Sequence, residues 1–139
     1  MVKPTTALGT VEVTADGEGL VSHAGAALVV ELADRSGLTA ALSDALAVTR
    51  ERRSAHDPGR VLRDVAVMLV DGGDCVTDIA GFEGQERLFG AHASETTTHR
   101  VLKSVDERLL ERIRAARATA RARVWDAGAR PDTITLNIR

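Results

Sequence analysis

Aromatic residues are nearly missing from this chain of 139 residues, which has no tyrosine, two phenylalanines (Phe82 and Phe89) and one tryptophan, Trp125. Strands favour aromatic and β-branched side chains, so a β-sandwich is a poor fit. Hydrophobic residues still make up 44% of the chain, enough to offset the entropy of ordering one domain. They are Leu, Val, Ile and Ala, which suit close-packed helices. Cysteine occurs once, at Cys75, which excludes a disulfide framework and a Cys-based metal site. The histidines at 23, 56, 92 and 99 lack metal-binding spacing such as H-E-x-x-H. No stretch has the length of a membrane span, and "MVKPTTALGT" has no apolar run of signal-peptide length. The expected location is cytoplasmic. There is also no G-x-S-x-G, no phosphate-binding loop and no Cys–His set with a third partner, so an independent hydrolase is the least favoured class.

What is present is charge, unevenly spread. The net charge of −2 says little as a total. Between His99 and Arg123, however, Arg100, Lys103, Arg108, Arg112, Arg114, Arg117, Arg121 and Arg123 stand against only Asp106, Glu107 and Glu111. A basic stretch on a near-neutral chain is a local patch that suits a polyanion. The plainer account is a solvated helix face, with Glu111 and Arg114 as an i,i+3 pair.

The pattern along the chain is mainly α. Residues 1–20 read as a polar arm, with Asp16-Gly17 as a turn signal. Residues 21–128 read as a helical domain. Within it, Leu28 and Leu32 recur at helical spacing after a Ser22 cap, and Gly37 follows as a helix-ending glycine. Leu38, Leu42 and Leu46 mark a second helix, giving an αα-hairpin. Asp57-Pro58 is a strong helix start, because Asp caps and Pro tolerates the first turn. Val61, Leu62, Val65, Met68 and Leu69 then predict a central buried helix ending at "DGGD". Asp74 can cap a short helix with Val76, Ile79 and Ala80 inward, and Leu88-Phe89 anchors the loop after it. Ser94 caps the next helix. Ser104 and Glu107 form a capping box for the last one, whose buried stripe is Leu109, Leu110, Ile113, Ala116, Ala120 and Val124. Gly128 and Pro131 end it, and residues 129–139 read as a linker and a terminal β-strand, with alternation over 133–138.

Residues 74–103 carry the parts of a helix-turn-helix: a short helix, a glycine-containing connection and a second capped helix. The second helix opens with Thr96, Thr97, Thr98, His99 and Arg100, followed by Lys103. Hydroxyls and an Arg near a helix N-terminus suit DNA. Backbone N–H groups bind phosphate there, Thr meets a thymine methyl or a phosphate, and Arg bonds guanine bidentately. Three consecutive Thr are poor helix formers, so helix stability does not account for them. The arginines of the last helix, Arg114, Arg117 and Arg121 foremost, could lie along a duplex backbone. Asp71 and Asp74 could be read as metal ligands and His56-Asp57 as a pair, but helix capping explains these carboxylates more simply.

The segments "LVSHAGAALVVELADRSGLTAALSDAL", "HDPGRVLRDVAVMLVDGGDCVTDIAGFEGQERLFG" and "RVLKSVDERLLERIRAARATARARVW" resemble the amino-terminal region of bacterial insertion-sequence DDE transposases of the IS-thirteen-eighty type. The resemblance runs from about Leu20 to Ile138, and "HDPGRVLRDVAVMLVDGGDC" is its most specific part. It implies a longer enzyme in which helices precede an RNase H-like domain, where three acidic residues hold two Mg²⁺ ions for strand cleavage and transfer. "TITLNIR" is similar to the first strand of that domain, but Asn137 and Arg139 stand where the family's acidic pattern would be. An amide and a guanidinium do not replace metal-binding carboxylates. The expectation is therefore a truncated transposase fragment, non-catalytic by itself, with no cofactor in this chain and no catalytic residue carried over. Its implied partners are double-stranded DNA at transposon terminal inverted repeats, and a second copy or an intact transposase in a dimer. The DNA-contacting role falls on Thr96, Thr97, Thr98, His99, Arg100 and Lys103. On DNA the chain would be nucleoid-associated. The alternatives are a helical protein-interaction module and a small helix-turn-helix transcriptional regulator, which would bind palindromic half-sites as a dimer.

Overall fold

The computed structural model describes residues 5–6, 9–10, 24–50 and 55–135. Near the amino terminus β1 (Thr5–Thr6) pairs antiparallel with β2 (Gly9–Thr10). The remaining described elements are helical: α1 (Ala24–Arg35), α2 (Leu38–Leu46), α3 (Pro58–Val70), α4 (Glu86–Phe89), α5 (Glu95–Lys103) and α6 (Glu107–Val124). Tight 3₁₀ turns run over Ala47–Thr49 and Val76–Phe82, and a wider helical turn over Trp125–Ala129 follows α6. The mainly α expectation holds. The expected Ser22 cap and the Asp16-Gly17 turn lie outside the described residues.

Gly37 joins α1 to α2 with φ 76, a left-handed conformation that L side chains rarely adopt. The Arg123 side chain, from the end of α6, also passes so close that a Cβ on Gly37 would collide with it. Residue 37 therefore turns the chain, with the flexible tip of the Arg123 side chain beside it. α3 starts where Asp57 and Pro58 predict: the Asp57 carboxylate accepts from the Arg60 N–H at 3.0 Å, and Pro58 occupies the first turn. Ser43 of α2 donates to the same carboxylate at 2.6 Å, which ties the start of α3 to α2. At this crossing Gly59 lies against the α2 backbone, and a Cβ there would sit 2.5 Å from the Leu42 carbonyl carbon. α3 is central as expected, touching α1, α2, α5 and the 76–82 turn.

Two apolar clusters form around it. One gathers Ala26, Val30, Val65, Val67, Met68, Ile79, Phe82 and Phe89, with the Phe82 and Phe89 rings stacked at 4.2 Å. The other joins Leu42 and Ala45 of α2 to Ala116 of α6. Each fully buried large side chain in such clusters contributes about 1.5–3 kcal/mol. Leu109, Ala116 and Ala120 are buried on α6, with Leu110, Ile113 and Val124 half-buried, in line with the expected stripe.

Several local expectations change. α1 buries Ala26, Val30 and Ala33 and leaves Leu28 and Leu32 exposed, because the small residues let α1 approach its neighbours. Leu69 is 54% exposed rather than part of the α3 core face. Around the short turn, Ile79 and Phe82 are buried while Ala80 is exposed and Val76 only half-buried. Asp74 does not cap it: the Asp78 carboxylate reaches back to the N–H groups of Asp74 and Cys75 at 2.9 and 3.0 Å. The cap of α6 is Asp106, which accepts from the Leu109 N–H at 2.8 Å, and Ser104 instead ends α5. Thr133, Ile134 and Thr135 form no strand and are exposed, since no described segment offers them a ladder partner; the rest of the expected strand lies outside the described residues. No helix among the described residues is long and apolar enough to cross a membrane.

Candidate nucleic-acid interface

α5 is a nine-residue helix fixed by its buried side. The Ser94 hydroxyl accepts from the Thr97 N–H at 3.4 Å and donates to the Thr97 hydroxyl at 3.2 Å, so two of the small polar residues close the helix start. Ala93, just before the cap, is buried. Thr98 is 1% exposed, and among the described residues its hydroxyl has no hydrogen-bond partner. These contacts press α5 onto α3 and the 76–82 turn.

Among the described residues the opposite face is exposed. Thr96, His99, Arg100 and Lys103 are spaced i, i+3, i+4 and i+7, which is one stripe of a helix, and all are exposed. Together with Glu95 they line one shallow depression of about 420 Å³. Four of the six α5 residues expected to meet DNA are thus brought together. Thr97 is half-buried in the cap, and Thr98 is enclosed in the core, where its hydroxyl reaches no outside ligand. Glu95 was missed by sequence reasoning, although its place beside Thr96 at the first turn could have suggested it.

The arginines expected along the last helix divide into separate settings. Arg114 lies 3.6 Å from Glu107 and is bonded to Glu111, so its charge is met within α6. Arg112 donates to the Asp44 carbonyl at 3.1 Å and so ties α6 to the end of α2. Arg117 and Arg121 border an apolar groove of about 300 Å³ between α1 and α6, floored by Val29, Leu32, Leu38, Ala120 and Val124. The Arg121 guanidinium also lies over the Trp125 ring at 5.2 Å. Arg114, Arg117 and Arg121 therefore do not share the depression on α5.

Two acidic settings bear on chemistry. Asp74, Cys75 and Asp78 bring donor atoms within 4.8 Å of one another, all exposed. The Asp78 carboxyl is held below its ordinary value by the N–H groups of Asp74 and Cys75, so its negative charge is spent on the turn it caps. Asp64 is buried, and burial pushes its carboxyl up although the adjacent Arg63 guanidinium pulls the other way. Arg63, also buried, holds Asp64 at 2.6 Å, Asp34 at 3.3 Å and the Phe89 carbonyl at 3.4 Å. That network joins α3 to α1 and to the segment preceding α5. It braces the interface, with Arg63 and Asp64 buried and Asp34 at its half-exposed edge.

The family described as Transposase DDE domain group 1 matches residues 3–138. No curated protein and no solved structure matches the chain.

Proposed function

The chain belongs to the transposase DDE domain group 1 family, and from that premise we propose that its helical domain, residues 21–128, holds transposon-end DNA on the exposed face of α5. The observation that carries this reading is the stripe of Thr96, His99, Arg100 and Lys103 over one shallow depression, on a helix pinned from behind by Thr98. A duplex offers such a stripe phosphates for its cations and base edges for its hydroxyl and guanidinium. In this reading the 3₁₀ turn at 76–82, the connection through α4 and α5 act as a helix-turn-helix with an extended connection, and α5 is the helix that enters the major groove.

In this reading the described residues hold DNA and do not cut it. The Mg²⁺ ions that the family implies do not fit the Asp74, Cys75 and Asp78 cluster. Mg²⁺ requires oxygen ligands, a thiol is a soft one, and the Asp78 oxygen already accepts two backbone N–H groups. Strand cleavage is accordingly assigned to no residue here. A chain that holds the element's ends would compete with an intact transposase or join it in a mixed dimer.

The test is a fluorescence-anisotropy titration of the full chain with duplex carrying the terminal inverted repeats of an intact family element, against scrambled duplex, at physiological salt. Tighter binding to the repeats is expected; equal affinity for both overturns specific recognition. One observation favours a second reading, a protein-interaction module: the apolar groove between α1 and α6, bordered by Arg117 and Arg121. It predicts that Arg100→Ala and Lys103→Ala leave the chain's function intact.

A further inference from the structure

The α5 stripe contains one residue of the wrong sign for a polyanion. Glu95 opens the helix, is exposed, and lines the same depression as Thr96, His99, Arg100 and Lys103. Among the described residues it forms no ion pair. Its side chain is not needed to cap the helix either, because Ser94 accepts from the Thr97 N–H. A carboxylate at this place repels a phosphate from the helix N-terminus, where a phosphate would otherwise bind. The helix dipole favours a carboxylate in this turn, and on a duplex such a turn faces something other than the phosphate backbone.

Resting on the DNA reading above, we infer that Glu95 is a specificity-determining residue that selects cytosine in the major groove. Base edges there present only two kinds of donor to a carboxylate acceptor, the N4 amino group of cytosine and the N6 amino group of adenine. Adenine sets its N7 acceptor beside that donor, and two acceptors facing each other repel, so cytosine is the better partner. Arg100 lines the same depression as Glu95 and is the group there that bonds guanine bidentately. The negative charge sets the orientation, because it admits the helix tip only toward base edges, while Arg100 and Lys103 keep their attraction for the flanking strand.

The experiment selects bound duplexes from a randomised library with the full-length chain at physiological salt, using the natural sequence, Glu95→Gln and Glu95→Ala. The natural chain should enrich cytosine at one position, about tenfold over the other bases. Glu95→Gln should move that preference to adenine, which an amide reads through N6 and N7. Glu95→Ala should erase it, leave the guanine position unchanged, and keep or raise the affinity for random duplex. An unchanged base preference in both variants overturns the inference and leaves the DNA reading standing. Failure of the natural chain to retain any duplex overturns both.

Discussion

Arg63 and Asp64 are neighbours in sequence, and both are buried, with the guanidinium donating to the carboxylate at 2.9 Å through Nε and 2.6 Å through Nη2. Adjacent helical residues normally point about 100° apart, so both can be enclosed only where the helix is covered on more than one side. α3 meets that condition, since α1, α2, α5 and the 76–82 turn surround it. Removing Asp64 leaves the buried Arg63 charge with only the half-exposed Asp34 and the Phe89 carbonyl, whereas removing both charges also removes the desolvation cost. Asp64→Ala should therefore destabilise the fold by about 3 kcal/mol. The double variant Arg63→Met with Asp64→Leu should cost clearly less, measured by urea unfolding. A double variant at least as unstable as the single one would show that the pair contributes net stability of its own.

Acid should act on this protein in two opposing ways. Burial works to raise the Asp57 carboxyl. The hydrogen bond from Ser43, the N–H groups of Arg60 and Gly59 and the charge of Arg50 outweigh it, leaving Asp57 below its ordinary 3.8. Its folded pKa is depressed, so the unfolded chain binds the proton first; the stability it contributes is present above the ordinary value and is lost as pH falls through the depressed one. Asp64 is raised, so its sign is reversed: the folded chain takes the proton first, and acidification from neutral relieves a buried charge. Asp57→Asn keeps a capping side chain but removes the titration. Its urea midpoint should fall less steeply than that of the natural chain below about pH 4. Parallel acid limbs would remove Asp57 from the account.

Thr98 gives a direct way to separate packing from recognition. Its side chain is enclosed, and among the described residues its hydroxyl has no partner. Valine has nearly the same shape without the unpaired group, and leaving a buried hydroxyl unpaired is costly. Thr98→Val should raise stability by about 1 kcal/mol and leave affinity for duplex DNA unchanged. Thr96→Val removes an exposed hydroxyl on the α5 stripe and, in the DNA reading, should lower that affinity with little effect on stability. Loss of DNA affinity in Thr98→Val, with the fold intact by circular dichroism, would return Thr98 to the contact surface.

The same contrast shows how much could be read from the residues alone. Local chemistry was legible: Asp57-Pro58 starts α3, Ser94 starts α5, and the Leu109, Ala116 and Ala120 spacing marks the buried side of α6. Each of these signals is complete within a few residues. Choices made by distant partners were hidden. In α1 the Leu28 and Leu32 spacing and the Ala26, Val30 and Ala33 spacing are both helical, and only the approach of α3 decides that the smaller set turns inward. Arg63 reads as a surface residue until the Phe89 carbonyl and Asp34 are brought to it. The basic run from Arg100 to Arg123 read as one patch, but intervening caps place α5 and α6 on different neighbours and give their cations different surroundings.

That division makes the last prediction a matter of counting charges. Each cation that neutralises a phosphate of B-DNA adds about 0.9 to the slope of log affinity against log salt. Arg100 and Lys103 are exposed on the α5 stripe and line its depression. Arg114 already faces two carboxylates, Glu107 and Glu111, within its own helix. Those two carboxylates offset the Arg114 charge and repel an approaching phosphate, although each exposed pair is itself weak. Anisotropy titrations across a salt series should therefore show a slope shallower by about 0.9 for Arg100→Ala and for Lys103→Ala. Arg114→Ala should leave the slope unchanged. The combined Glu107→Gln and Glu111→Gln variant frees Arg114 and removes two negative charges, so its affinity at low salt should rise. If Arg114→Ala instead flattens the slope and Arg100→Ala does not, the DNA runs along α6 and the α5 stripe is not the interface.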